Sequence, residues 1–238
     1  MANHIESHSI SLEGKQVAYL LKRSRRRSVG LRVDASGLTV QAPMRASHNW
    51  LEQVLQEKAR WVQDKLAQVQ ASTPPVQLWR DGEALPFLGE NIRLTLLRGS
   101  SQRPFLCDGE LHLGVPPSPP SGYVEKQVVG WYRNQALGCF HERAALYAAP
   151  LGLAFSSLAI SNAKTRWGSC NARGQLRLNW RLIKAPLAQL DYVVAHELAH
   201  LRHLDHSPAF WRVVESLYPD YRTARIALRE RGVLYHAF

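Results

Sequence analysis

Cysteine is scarce in this 238-residue sequence, and long apolar runs are missing. Cys107, Cys139 and Cys170 are far apart and odd in number, so they predict neither a disulfide framework nor a Cys-x-x-Cys zinc site. No run of about eighteen apolar residues occurs, as a membrane-spanning helix would need. The N-terminal segment MANHIESHSISLEG lacks the apolar core of a secretory signal. These absences favour a protein of the reducing cytoplasm with no membrane partner.

Acidic residues are also few, 19 against 30 lysines and arginines, and the net charge is +11. Such an excess attracts polyanions, including nucleic acids and nucleotide phosphates. Net charge indicates which molecules the protein attracts, not which molecules it converts. Many basic cytoplasmic proteins bind no nucleic acid. A nucleic-acid partner is therefore possible but not favoured. The apolar fraction of 45% predicts a globular chain with a substantial core.

The first part of the chain changes from strand to helical patterning. The segments QVAYLLKRS, SVGLRVDASG and LTVQAP predict strands, with a hairpin turn at DASG. The segment SHNWLEQVLQEKARWVQDKLAQVQ then predicts a helix that begins at the N-cap Ser47. Proline-rich breaks at ASTPPVQ and VPPSPPSG divide the rest of the chain. We expect three parts. Residues 1–72 form strands and a helix, residues 76–118 form a β-rich segment, and residues 121–238 form the last part, on which the first part packs.

The third part mixes helices with short strands. A helix is predicted over 123–149, and FSSLAISNA and RGQLRLNWRLI predict strands. From Leu187 onward the spacing is helical, with Pro208 and Pro219 marking new helix starts. Helices around a small sheet, after a β-rich N-terminal part, indicate an α+β fold.

Four histidines and a glutamate are concentrated in the segment HELAHLRHLDH. On a helix from Leu187, His196 and His200 are one turn apart, so both imidazoles can reach one metal ion. Glu197 is placed to act on a water without being a ligand, which is the His-Glu-x-x-His arrangement of zinc hydrolases. Leu190, Val193, Val194, Leu198, Leu201 and Leu204 should form the buried stripe beside it.

A catalytic zinc needs a third protein ligand. His203 is on the same face, but it is too far along the helix axis from His196. His206 can join the pair only if the helix ends near His203 or Leu204 and the chain turns back. The segment DHSP allows that turn, with Ser207 as an N-cap and a proline at the first helical position. Glu215 is the rival third ligand, and we favour His206.

These motifs resemble a known family. HELAHLRHLDHSPAFW, preceded by KTRWGSCNARGQLRLNWRLIKAPLAQLDYVV, resembles the YgjP-like, WLM-related zinc metallohydrolases, and the resemblance extends over most of the chain. It implies a zincin-like metalloprotease core in 121–238, with an active-site helix on a small antiparallel or mixed sheet. It also implies one zinc per chain, held by His196, His200 and His206, and Glu197 as catalytic acid/base.

This set of residues predicts a hydrolase. The zinc would activate a bound water, from which Glu197 would accept a proton. Arg166, Tyr192 and His203 are candidates for contacting the substrate and its developing oxyanion. The segment GQLRLNWRL could supply the sheet edge on which an extended peptide pairs.

Three functions remain open at this point. A zinc metallopeptidase acting on a peptide or protein is favoured. The alternative is a metal-dependent phosphohydrolase acting on nucleotides or another phosphorylated small molecule, which the basic charge suits. The third is a binding protein in which KRSRRRS contacts nucleic acid and the zinc is structural, although an intact Glu197 counts against a purely structural zinc. A nucleic-acid-associated, SprT-like protease is a variant of the peptidase function. Members of that branch commonly carry a cysteine-rich zinc module, for which the three dispersed cysteines are insufficient.

Overall fold

A computed structural model describes residues 5–34, 36–72 and 77–238. The chain divides into two units, Met1–Pro74 and Pro75–Phe238, and each has its own hydrophobic core. The sequence pattern set residues 76–118 apart, but the core side chains between Leu85 and Val115 belong to the same core as those of residues 121–238. The structure mixes α-helices with several small sheets, so the α+β prediction is confirmed.

The first unit is a four-stranded sheet followed by two helices. The strands are β1 (Ile5–Leu12), β2 (Lys15–Ser24), β3 (Gly30–Asp34) and β4 (Gly37–Pro43), in the order β1-β2-β4-β3. Strands β3 and β4 pair antiparallel, as the predicted hairpin requires, although Ala35 in its turn lies outside the described residues. Alternate side chains on these strands form the unit's core with Leu51 and Leu55.

The predicted helix of this unit is interrupted at one residue. Helix α1 (His48–Glu57) and helix α2 (Ala59–Ser72) meet at Lys58. The Lys58 amide donates to the Val54 carbonyl, and the Lys58 carbonyl accepts from the Val62 amide. Hydrogen bonding of the helical type therefore continues through the break. Ser47 is the N-cap, since its side chain accepts a hydrogen bond from the Trp50 amide at 3.3 Å.

The second unit begins with another four-stranded sheet. Its strands are β5 (Ala84–Phe87), β6 (Glu90–Arg98), β7 (Phe105–Cys107) and β8 (Glu110–Val115), in the order β5-β6-β8-β7. The long helix α3 (Tyr123–Ala148) follows, and its buried side chains include Trp131, Tyr132 and Phe140. The helix predicted over 123–149 is thus confirmed to within one residue.

A three-stranded mixed sheet and three helices complete the second unit. The strands are β9 (Ser157–Ser161), β10 (Gly168–Cys170) and β11 (Gln175–Asn179), in the order β10-β11-β9. Strand β11 pairs antiparallel with β10 and parallel with β9. The helices are α4 (Leu187–Ala199), α5 (Pro208–Leu217) and α6 (Tyr221–Arg231). None of the helices in the described residues has the length and apolar character needed to cross a membrane.

Helix α4 is buried on almost every side, because its sequence is apolar nearly all round. Leu190, Val194 and Leu198 are at most 1% exposed. Three polar side chains are buried with them: Gln189, Asp191 and Glu197. Since buried polar groups normally have partners, the partners of these three indicate what each residue does.

Candidate metal centre and active site

Helix α4 ends at Ala199, earlier than the sequence predicted. His200 is the C-cap, and its Nδ1 donates to the His203 carbonyl at 3.0 Å. The amides of Arg202 and His203 both turn back to the Ala199 carbonyl. The helix therefore ends about one turn before His203 or Leu204, where the sequence placed its end, and its last hydrogen bonds close on the Ala199 carbonyl.

The early helix end changes the environment of the residues that follow. Leu204, predicted to be buried, is 62% exposed. A cavity lies beside Glu197, and His203 is not among the residues that line it. The His203 carbonyl accepts the hydrogen bond from His200. The structure therefore does not bring His203 to the place where a substrate contact was expected. It gives His203 instead a main-chain role in orienting His200.

The turn into the next helix follows the predicted local chemistry. Ser207 is the N-cap of α5, with its side chain accepting from the Phe210 amide at 3.4 Å, and Pro208 is the first helical residue. Asp205 Oδ1 accepts from the Ser207 amide at 3.3 Å. The hydrogen bonds made by the Asp205 and Ser207 side chains hold the chain on both sides of His206 and direct it back towards α4.

Three imidazoles meet at this turn. The Nε2 atoms of His196 and His206 are 3.1 Å apart, and the His200 ring centroid is 5.0 Å from each of the other two. One nitrogen from each of the three rings lies within 4.8 Å of the others. Glu215, the rival ligand, is elsewhere: its carboxylate pairs with Arg222 at 3.1 Å, and it is not part of this group.

Aromatic rings enclose the histidines. Phe210 lies 4.6 Å from the His200 ring and 4.9 Å from the His196 ring, and Trp211 lies 5.7 Å from His196. Burial, together with the charges of His200, His206 and Arg225, lowers the pKa of His196 to about 3. A neutral imidazole keeps a lone pair that can bind a metal ion.

Glu197 differs from the other buried polar residues of α4. Gln189 accepts a hydrogen bond from the Tyr235 hydroxyl, and Asp191 forms a two-pronged ion pair with Arg143 at 2.6 and 2.7 Å. Glu197 Oε2 is buried without a partner among the described residues. Burial raises the pKa of Glu197 to about 8, against the opposing charge of Arg166. A buried carboxyl group with a raised pKa and an unpartnered oxygen, next to a histidine of the cluster, is typical of a functional site.

A glycine makes room for this carboxylate. Gly168, the first residue of β10, lies so close to Glu197 that a Cβ there would overlap the Glu197 carboxylate.

Strand β10 is an edge of its sheet, whereas β11 is the central strand. The prediction that GQLRLNWRL supplies the edge is therefore wrong, because β11 is already paired on both sides, with β10 and with β9. The edge beside Glu197 belongs to β10.

A cavity of about 410 Å³ opens next to Glu197 and His196. Of the predicted substrate contacts, Arg166 and Tyr192 line it. Arg225 and Arg229 of α6 also line it, although the motifs in the sequence do not single them out. Their spacing of four residues on one helix was the available signal, but nothing local indicated which way that helix faces.

Three polar residues near the histidines in the sequence, Asp191, Asp205 and Asn179, have partners other than the imidazole rings. Asp191 is held by Arg143, and Asp205 bonds to the Ser207 amide. Asn179 donates to the Ala163 carbonyl at 2.7 Å and caps the following 3-10 turn. His200 has a main-chain partner for its Nδ1, whereas His196 Nδ1 is buried without a partner among the described residues.

The described residues contain one further group with metal-ligand chemistry. Glu6, His8 and His48 of the first unit bring one ligand atom each within 4.8 Å. His8 Nε2 lies 3.0 Å from Glu6 Oε2, and the His8 ring stacks on Tyr19. Among the described residues, the one carboxylate oxygen buried without a partner is Oε2 of Glu197, so the histidine cluster of the second unit is the stronger candidate.

Comparisons with known proteins identify the family of the chain. The family model of the YgjP-like metallopeptidase domain matches residues 27–231. No curated protein matches. Among solved structures, the chain is similar to the metallopeptidase zymogen of Pyrococcus abyssi abylysin, with 23% identity and a TM-score of 0.35. That similarity covers 38% of this chain and 93% of the other, and it is too weak to support a structural argument. On the family match, the chain belongs to the YgjP-like family and carries its metallopeptidase domain.

Proposed function

We propose that the chain is a zinc-dependent peptidase in which His196, His200 and His206 hold one zinc ion and Glu197 is the general base. The observation that carries this proposal is the convergence of three imidazole nitrogens within 4.8 Å, beside a buried carboxylate that has no partner. A set of three neutral imidazoles suits zinc and leaves a position open for chemistry. The proposed substrate is a peptide or protein.

The donor set fits a zinc ion. His200 Nδ1 donates to the His203 carbonyl, so its Nε2 has the free lone pair. His196 and His206 already present their Nε2 atoms to each other. When bound, zinc would supply a Lewis acid that polarises the scissile carbonyl and makes water more acidic.

The residues around the zinc site have distinct proposed roles. Glu197, packed against Gly168, would take a proton from the attacking water and deliver it to the leaving nitrogen. Tyr192 is 8% exposed, and its ring lies 5.9 Å from that of His196. Burial raises the pKa of Tyr192, so its hydroxyl remains a hydrogen-bond donor. Tyr192 and Arg166 are the proposed donors to the developing oxyanion.

The sheet beside the site supports a peptide substrate. Strand β10 is an edge strand, and its first residue contacts Glu197. An extended peptide that paired with β10 would pass the carboxylate with its carbonyl groups in a fixed register. A mixed sheet next to a helix that carries His-Glu-x-x-His is also the arrangement expected of a zincin-like core, which we propose for this unit.

The test is hydrolysis of an unfolded protein by the zinc-loaded chain and by its Glu197→Gln variant. We expect cleavage by the parent chain, and a loss of about a hundredfold or more in the variant with zinc content unchanged. A matched control is Glu215→Gln, since Glu215 is an exposed partner of Arg222. Full activity in the Glu197→Gln protein would contradict the general-base role, and no cleavage by any zinc-loaded preparation would contradict the peptidase proposal.

A further inference from the structure

The cavity beside Glu197 is lined by positive charge. Arg166 lies just before β10, and Arg225 and Arg229 lie on α6. Glu197 is the one carboxylate among the described residues that line this cavity. Positive groups from two elements distant in sequence therefore face one space next to the proposed reaction centre.

These arginines differ in their partners from two other arginines of the unit, Arg143 and Arg222. Arg143 is paired with Asp191, and Arg222 is paired with Glu215. Within the described residues, no ion pair involves Arg166, Arg225 or Arg229. Arg222 and Arg225 are on the same helix, so the difference does not come from helix composition. It comes from the direction in which each side chain points.

Packing holds one of the three in place. The Arg225 guanidinium lies 4.7 Å from the centre of the Trp211 ring, and Trp211 stacks on Tyr221. Trp211 in turn contacts the ring of His196. The Trp211 ring therefore lies against both the Arg225 guanidinium and the histidine cluster. Arg229, four residues further on, shares the same helix face.

We infer that this cavity is an anion-binding subsite, and that the chain prefers substrates carrying a carboxylate or phosphate group next to the bond that is cleaved. Arginine forms two parallel hydrogen bonds to either group, which gives both affinity and orientation. The inference rests on the proposed function, since it places the anion on the substrate that Glu197 acts on. An acidic side chain or terminal carboxylate of a peptide, and the phosphate of a small molecule, are the two sources of this chemistry.

The test measures binding rather than turnover, in zinc-loaded protein carrying Glu197→Gln. The ligands are a fluorescent peptide with one glutamate, the same peptide with glutamine instead, a nucleoside triphosphate, and its parent nucleoside. We expect the charged member of at least one pair to bind about tenfold to a hundredfold more tightly, the range of a charge-assisted hydrogen bond. A preference within the peptide pair identifies the carboxylate source, and a preference within the nucleoside pair identifies the phosphate source.

Variants then assign the preference to the arginines. Arg225→Gln combined with Arg229→Gln should abolish it, whereas Arg222→Gln, on the same helix but paired with Glu215, should leave it intact. Arg225→Lys with Arg229→Lys should keep part of it, because lysine keeps the charge but cannot form the two parallel hydrogen bonds; this variant also separates lost recognition from lost folding. Zinc content is measured before and after each titration, since triphosphates bind metal ions.

Two results would overturn the subsite. One is equal binding within both ligand pairs, and the other is a preference that survives both glutamine substitutions. These results are distinguishable from failure of the proposed function. Peptide cleavage without charge preference would reject the subsite alone. Charge-selective binding by a chain that cleaves no peptide would reject the peptidase proposal alone.

Discussion

The Nε2 atoms of His196 and His206 lie 3.1 Å apart, although the residues are ten positions apart in the sequence. Two imidazole lone pairs at this distance repel each other, so either one ring donates a proton to the other or both bind one cation. The short turn from His200 to Ser207 creates this relationship, because α4 ends early and α5 begins with a capped turn.

Removal of His206 tests the proposed ligand set. We expect His206→Ala to lower zinc affinity by more than about a hundredfold, since even outer-shell changes cost about ten- to a hundredfold. Glu215→Ala should leave affinity unchanged, because that carboxylate pairs with Arg222. Metal analysis after dialysis against a graded chelator measures both. Zinc loss from the Glu215 variant but not from the His206 variant would reverse the assignment.

Gly168→Ala should separate turnover from metal binding. The added methyl group would overlap the Glu197 carboxylate, so the carboxylate must shift. A displacement of about 1 Å can cost about a hundredfold in rate, so we expect a loss of that order with zinc content unchanged. The measurement is the rate of peptide cleavage alongside metal analysis.

Gly138→Ala is the matched control for this substitution. Gly138 is in α3, and a Cβ there meets nothing within 4 Å. Alanine is favoured over glycine inside a helix, so this variant should keep full activity and gain slightly in stability. If Gly168→Ala is as active as Gly138→Ala, the close packing of Gly168 on Glu197 does not set the position of the base.

Stability of the metal-free protein should depend on pH through two groups of opposite sign. The pKa of His196 is lowered from 6.5 to about 3, so between these pH values the unfolded chain binds one more proton than the folded chain. The free energy of unfolding therefore falls as the pH drops from 6.5 to about 3. The pKa of Glu197 is raised from 4.5 to about 8, so the folded chain holds the extra proton and stability falls as pH rises from 4.5 to 8.

Glu197→Gln isolates the second contribution. Relative to this variant, the metal-free parent should lose up to about 1.4 kcal/mol of unfolding free energy per pH unit across the upper window. Urea unfolding of chelator-treated protein at several pH values measures the difference. Parallel curves for the Glu197→Gln protein and the parent would show that Glu197 keeps an ordinary pKa.

The buried pair of Arg143 and Asp191 should dominate the stability of α4. Arg143→Met leaves the Asp191 carboxylate, 4% exposed, without its partner, and we expect a loss of about 3–5 kcal/mol in unfolding free energy. Arg222→Met removes an exposed pair and should cost less than about 1 kcal/mol. Urea unfolding compares the two. Equal losses would mean that the buried pair contributes no more than a surface pair.

The sequence by itself determined the parts of the site that depend on neighbouring residues. The spacing of His196 and His200 placed both on one helix face, and the Ser207 and Pro208 signals placed the start of α5 correctly. These features follow from helical periodicity and capping, which act over three or four residues. The mixed α and β composition was predictable for the same reason.

Tertiary structure decided the rest. The early end of α4 at Ala199, the exposure of Leu204 and the identity of the edge strand were all predicted wrongly from local pattern. The contact of Gly168 with Glu197 and the approach of Arg225 to the cavity join elements that are distant in sequence. Such contacts depend on how β10, α4 and α6 pack around a common core, and no short segment encodes that packing.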